Sequence, residues 1–194
     1  GWNVVTEDDQ VINTSSSDWH GTSVSGVIGA VGNNDEGISG ANWNVKMMLV
    51  SRGDDTADAI TSYTYPFLNR KLYNQSLGQN GAFIVATNSS WGLNFGTPDE
   101  APLWCAMYDS LGSVGILNAT ATTNNNYNVD EVGDLPTTCL SDYLITVTSV
   151  DEYDLKVTNA GYGAQSVDVG AFGKNIYSTL NYGLYGTLNG TSVA

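Results

Sequence analysis

The 194-residue chain is 41% hydrophobic, enough apolar content for the core of one domain and too much for a disordered segment. Its 20 acidic residues against 6 basic ones give a formal net charge of −14, which repels phosphate and so excludes nucleic acid and anionic membrane surfaces as partners. No run of about 18 apolar residues is present, so no stretch reads as a transmembrane helix. Only 13% of residues are charged while Gly, Ser, Thr and Asn abound, a balance closer to secreted or cell-surface bacterial proteins than to cytosolic ones.

Residues 1–19 carry Asp and Asn/Ser clusters with little periodicity and read as a surface loop, opening at Gly1 without a basic-then-apolar signal peptide. A helix is expected from His20, with Val24, Val27, Ile28 and Val31 on an apolar face and Gly21, Ser25, Gly26 and Gly29 on a small one. Buried strands follow at 45–50, 82–87, 114–119 and 143–150, each short, apolar and bounded by turn residues. Helices are expected between them, one over 57–73 and one with Thr97 as N-cap, Pro98 in its first turn and Gly112 as its stop. Alternating strands and helices of this kind read as consecutive βα units around a parallel sheet.

Cys105 and Cys139 form a disulfide in an oxidising compartment or stand as two buried free thiols. Five N-x-[ST] triplets start at Asn13, Asn74, Asn88, Asn118 and Asn189, a number that chance explains in an Asn/Ser/Thr-rich chain.

Two short motifs carry the chemistry. His-Gly-Thr-Ser-Val-Ser-Gly begins at His20, the only histidine, and the chain ends in Gly-Thr-Ser-Val-Ala, centred on Ser192. A serine hydroxyl is a weak nucleophile at neutral pH and needs a neutral imidazole within hydrogen-bond reach to take its proton. Taken alone, a single histidine reads as structural and a Gly-Thr-Ser triplet as coincidence. Together they resemble the histidine and serine boxes of the subtilase family, and two further segments fit the same order. Ser90-Trp91-Gly92, after the strand at 82–87, is similar to the family segment that pairs with an extended substrate. Trp91 stands where the family often has a smaller apolar residue, and the segment also reads as a strand-end turn around a core aromatic. Ala121-Thr122-Thr123-Asn124 follows the strand at 114–119, and Asn124 matches the family asparagine that donates to the oxyanion. The family's usual Ala-Gly is Thr122-Thr123 here, and Asn124, Asn125 and Asn126 are consecutive, so a one-residue shift stays open.

The resemblance spans nearly the whole chain and implies a three-layer α/β fold with a mainly parallel central sheet. It also implies a serine endopeptidase with polypeptide substrates and, as a further partner, a propeptide inhibitor. No cofactor is required for that chemistry. Pro136 falls where subtilases often carry a cis proline. Asp130, Glu131 and Asp134 offer oxygens to a structural calcium ion, as many subtilases bind one, or form a solvated acidic loop, which is the reading adopted. Small residues around Asn124 and the aromatic Trp91 suggest that apolar or bulky substrate side chains are accepted.

One part of the pattern is missing. The family triad needs a carboxylate that orients the histidine, at the end of an upstream strand and followed by Gly-containing turn residues. Asp8 and Asp9 fit neither condition, and Asp18 is too near His20. The expectation is therefore a partial catalytic domain over 1–194, cut before the nucleophile helix ends and after the aspartate strand, and nearly inactive by itself. The alternatives are a subtilase-like pseudoenzyme that binds peptides and an unrelated α/β binding or adhesion domain.

Overall fold

The computed structural model describes residues 1–11 and 19–194; Asn13 and Asp18 lie outside that range. In chain order the elements are β1 (Trp2–Asn3), α1 (His20–Gly29), β2 (Val50–Ser51), α2 (Thr56–Gln75), β3 (Ala86–Ser89), β4 (Leu93–Asn94) and α3 (Pro102–Ser113). They continue with β5 (Leu117–Ala121), α4 (Val129–Val132), β6 (Asp134–Leu135), β7 (Leu144–Val150), β8 (Val169–Phe172), β9 (Ile176–Thr179) and β10 (Tyr185–Leu188). A 3₁₀ turn over Thr191–Val193 closes the chain.

The central sheet has the order β3-β5-β7-β8 and every pairing in it is parallel. Successive strands lie side by side, as βα connections require. In β7 the alternation of buried and half-buried residues puts Leu144, Thr146 and Thr148 on one buried face. Helices α2 and α3 pack on each other, and α3 packs on β5. Between them lies the core: Tyr63 of α2, Trp104, Tyr108 and Leu111 of α3, then Ile116, Leu135, Cys139 and Leu144. Its buried polar atoms form a chain. Trp104 Nε1 donates to Tyr108 Oη (3.1 Å), the two tyrosine hydroxyls bond at 2.7 Å, and Tyr63 Oη donates to Ser89 Oγ (2.7 Å). Burial raises the pKa of both tyrosines, so each remains a neutral donor.

Several boundaries move for physical reasons. The segment at 45–50 pairs with β1 only at its end, through β2 at Val50 and through Leu49 O, which accepts from Trp2 N–H; Val45, Met47 and Leu49 are exposed, and Val45 and Met47 make no ladder among the described residues. Residues 1–19 are thus not all loop. The strand at 82–87 starts at Ala86, and Phe83 and Val85 before it are exposed. The strand at 114–119 starts at Leu117, because residues 114–116 close α3: Gly115 adopts φ +90°, and Ile116 N–H donates to Leu111 O. Helix α3 begins at Pro102, not beside Thr97. Pro102 drives Ala101 out of the helical region to φ −138°, ψ 56°, and Thr97 instead starts a turn in which its N–H and hydroxyl donate to Glu100. Helix α2 covers its expected span, with the Asp55 side chain capping Asp58 N–H.

In α1 the small face, not the valine face, is the more deeply buried. Ser23, Gly26 and Gly29 are buried, Val24, Val27 and Ile28 half-buried, and Val31 exposed. Gly26 lies so close to β9 that a Cβ there would stand 2.3 Å from Thr179 Oγ1.

Candidate active site

Helix α1 is fixed to β9 by hydroxyls. Ser23 Oγ donates to Thr179 O (2.8 Å), Ser178 Oγ to Ser23 O (2.7 Å) and Thr179 Oγ1 to Thr22 O (2.8 Å). His20 is the first residue of this helix, and the helix packs against the 191–193 turn that carries Ser192. The His20 side chain is exposed, beside Trp19 at a ring distance of 6.2 Å, and makes no hydrogen bond to the described residues. No carboxylate among those residues reaches it. Asp8 accepts from Thr6 and Gln10, and Asp9 from Gln10.

Ser192 sits on a tightly determined turn. Gly190 precedes it at φ +153°, ψ 162°, a region open essentially to glycine, and Gly190 N–H donates to Gly173 O (2.8 Å). Ser192 and Ser90 exchange hydrogen bonds: Ser192 Oγ donates to Ser90 O (3.1 Å) and Ser90 Oγ to Ser192 O (2.8 Å). The candidate nucleophile is thus held directly against the segment that follows β3, and its hydroxyl proton is directed at Ser90 rather than at His20.

Asn124 joins the same point from β5. Its Oδ1 accepts from Thr191 N–H (2.9 Å), and Thr191 Oγ1 donates to Thr122 O. A backbone N–H can only donate, so the carbonyl of the Asn124 amide must face it and the NH₂ must point the other way. That amide nitrogen has no partner among the described residues. Asn125 Nδ2, by contrast, is engaged on Thr123 Oγ1 (2.9 Å).

A cleft of about 200 Å³ brings these parts together. One wall is Ser90, Trp91 and Gly92; the other is Ala121, Thr122, Thr123 and Asn124; Ser192 and Thr191 stand at its end. His20 is the one candidate that does not line it. Trp91 is half-buried and doubly used. Its ring packs against Tyr63 (5.7 Å) and Trp104 (5.4 Å), with Arg52 over it at 3.9 Å, so the aromatic core fixes a side chain that also faces the cleft.

The antiparallel pair β4–β6 completes the enclosure, with Asn94 opposite Asp134. Asp134 is 2% exposed, and its Oδ2 accepts from Thr123 N–H (2.9 Å) and Thr137 Oγ1 (2.7 Å). Burial is the dominant influence on its carboxyl and raises the pKa to about 6. The three candidate calcium carboxylates do not converge. Asp130 accepts from Gln165 and Ser166 N–H, Glu131 from Asn128, and Asp134 from inside the cleft wall. No group of three acidic, histidine or cysteine side chains suited to a metal occurs among the described residues. The Leu135–Pro136 peptide bond is cis, as the resemblance implied. Cys105 and Cys139 are disulfide-bonded, tying α3 to the stretch that follows β6.

Residues 2–194 match the model of the Subtilase family. The chain belongs to that family. An "Extracellular protease" of Xanthomonas campestris pv. campestris is 28% identical over 215 aligned residues, covering 100% of this chain and 33% of the relative. The "Extracellular basic protease" of Dichelobacter nodosus is 29% identical, covering 92% and 30%, and "Subtilisin-like protease 1" of Plasmodium berghei 25% identical, covering 94% and 32%. The chain spans about a third of the length of these curated subtilases. Among solved structures, a protease from Pseudoalteromonas arctica superposes with TM-score 0.76 at 26% identity, over 93% of this chain and 56% of that one. A cold-adapted subtilisin-like serine proteinase superposes with TM-score 0.74 at 23% identity, over 100% and 62%. The fold is subtilisin-like, α/β with a mostly parallel central sheet.

Two contributors to the subtilase cleft escaped the sequence reading. Thr191, which orients Asn124, lay inside the quoted Gly-Thr-Ser motif without a role of its own. Asp134 was weighed as a calcium ligand or, in the reading adopted, as part of a solvated acidic loop; the structure instead buries its carboxylate against Thr123 N–H and Thr137 Oγ1.

Proposed function

We propose that the intact protein containing this chain is a secreted serine endopeptidase. Ser192 Oγ attacks the scissile carbonyl as His20 takes its proton. The Asn124 amide and the Ser192 N–H donate to the oxyanion of the resulting tetrahedral adduct. The C–N bond then breaks while the imidazolium returns its proton to the leaving amine. Water, deprotonated by the same histidine, hydrolyses the acyl-serine. The observation that carries this reading is the Asn124–Thr191 hydrogen bond, which leaves the Asn124 NH₂ free in the cleft that Ser192 borders. Substrate would lie extended along Ser90–Gly92, adding a strand by main-chain hydrogen bonds. For the attack, Ser192 Oγ must leave Ser90 O and turn toward His20.

On this reading the triad aspartate belongs to a strand outside these residues, and the chain is part of one catalytic domain. Two features support a strand there: Val45, Met47 and Leu49 on one segment, and Phe83 and Val85 on another, are exposed apolar side chains. The disulfide and the names of the bacterial relatives support an extracellular location. A propeptide inhibitor belongs to the same proposal, and a structural calcium ion would need ligands other than the three dispersed carboxylates.

The test is peptide hydrolysis by the intact protein beside Ser192→Ala and His20→Ala. Loss of turnover by on the order of 10³-fold or more in each variant, with folding intact, is expected. Binding of peptides without cleavage, unaffected by either change, would favour the pseudoenzyme, to which the Ser192–Ser90 exchange and the unengaged His20 lend their weight. Residues 1–194 alone are expected to turn over very little, since a triad without its carboxylate retains only a small residual rate.

A further inference from the structure

Asp134 is the only charged side chain among the residues that line the cleft. It is not a conventional buried ion: no lysine, arginine or histidine bonds to it, and both of its hydrogen bonds fall on Oδ2, from Thr123 N–H and Thr137 Oγ1. Oδ1 has no partner among the described residues, yet it is not sealed from solvent, since Ser149 Oγ is the only fully buried side-chain polar atom of those residues left without one. Asp134 is one of the residues that line the cleft. The other side chains that line the cleft are mostly polar, Thr122, Thr123, Asn94 and Asn125 among them, with Trp91 the one large apolar group. A carboxylate held without a counter-ion in a low-dielectric site is costly, and it lowers that cost by taking up a cation or a strong donor.

We propose, resting on the endopeptidase reading above, that Asp134 selects substrates with lysine or arginine on the acyl side of the scissile bond, by accepting their ammonium or guanidinium at Oδ1. The two fixed bonds at Oδ2 pre-orient the carboxylate, so that little side-chain freedom is lost when the cation arrives. Its raised pKa of about 6 still leaves it ionised under mildly alkaline conditions. A cleft of about 200 Å³ holds one side chain rather than a whole small ligand. A carboxylate on the floor of such a pocket is how serine proteases of another fold select basic residues. The chain's net charge of −14 adds long-range attraction for basic peptides. This specificity replaces the apolar preference suggested by Trp91, whose ring is instead occupied by Tyr63, Trp104 and Arg52.

The experiment uses the intact protein and fluorogenic peptides identical except for Arg, Lys, Leu or Glu at that position, with kcat/KM measured for wild type and Asp134→Asn. Arg and Lys should exceed Leu by on the order of 30-fold or more in the wild type, with Glu poorest, and the Arg:Leu ratio should fall by a similar factor in the variant. The ratio is internal, so a general loss of activity in the variant cancels. As a check that needs no variant, a peptide aldehyde ending in arginine should inhibit the wild type at least about tenfold more tightly than one ending in leucine. Leu equal to or better than Arg, or an Arg preference that survives Asp134→Asn, overturns the proposal and leaves the endopeptidase reading standing. Failure to cleave any of the peptides, together with an unreactive Ser192, overturns both.

Discussion

Asp134→Asn also separates the energetic cost of this carboxylate from its role in recognition. Burial outweighs the hydrogen bonds from Thr137 and Thr123 and raises its pKa from 3.8 to about 6 in the folded protein. In the unfolded chain the group titrates near 3.9, so between about pH 4 and about pH 6 the folded protein retains a proton that the unfolded chain has released. Stability therefore falls as pH rises through that window, and the full cost is present above the folded pKa. A shift of about two units, at 1.36 kcal/mol each, amounts to about 3 kcal/mol. Urea denaturation of wild type and Asp134→Asn at about pH 4 and about pH 8 reads this directly, because the remaining carboxylates titrate alike in both proteins and cancel in the difference. The wild type should lose about 2 kcal/mol more than the variant on going to the higher pH, because at about pH 4 part of the cost is already present. Parallel pH profiles would refute the claim that burial dominates at Asp134.

Tyr63→Phe removes the middle hydroxyl of the chain from Trp104 to Ser89, leaving the buried Tyr108 O–H without its acceptor and Ser89 Oγ without its donor. Thermal unfolding should show a loss of about 2 kcal/mol, a fall of roughly 4–8 °C in Tm. Replacing Cys105 and Cys139 together by serine opens a loop with a sequence separation of 34 residues. Chain-entropy reasoning gives a loss of about 4 kcal/mol for that loop, measurable by denaturant titration. Asn124→Ala should lower kcat by on the order of 10²–10³-fold with a much smaller change in KM, as steady-state kinetics of the intact protein would show, because its amide acts on the oxyanion rather than on the ground state.

The order of strands and helices was legible because parallel strands buried between helices are short apolar runs, and 143–150 and 57–73 match β7 and α2 closely. Where a strand depends on a neighbour, the sequence overstated it. Val45 and Met47 have the residue types of a strand but no ladder partner among the described residues, and a strand is a property of the pair. In α1 the glycines marked a face small enough for close packing, and Gly26 does approach β9, while the hydroxyls of Ser23, Ser178 and Thr179 that fix the helix there are what a hydropathy pattern does not register. At the site, Ser90–Gly92, 121–124 and Ser192 were legible as motifs and meet in one cleft. The involvement of Asp134 was not, because it depends on the β4–β6 pairing that folds its carboxylate back onto Thr123 N–H.

The central claim is that Ser192 is a nucleophile activated by His20. The most direct test is to treat the intact protein with a serine-directed fluorophosphonate and to map the adduct by mass spectrometry. A stoichiometric adduct on Ser192, lost or greatly slowed in His20→Ala, is the predicted result. An unmodified Ser192 in the folded, intact protein would contradict the account.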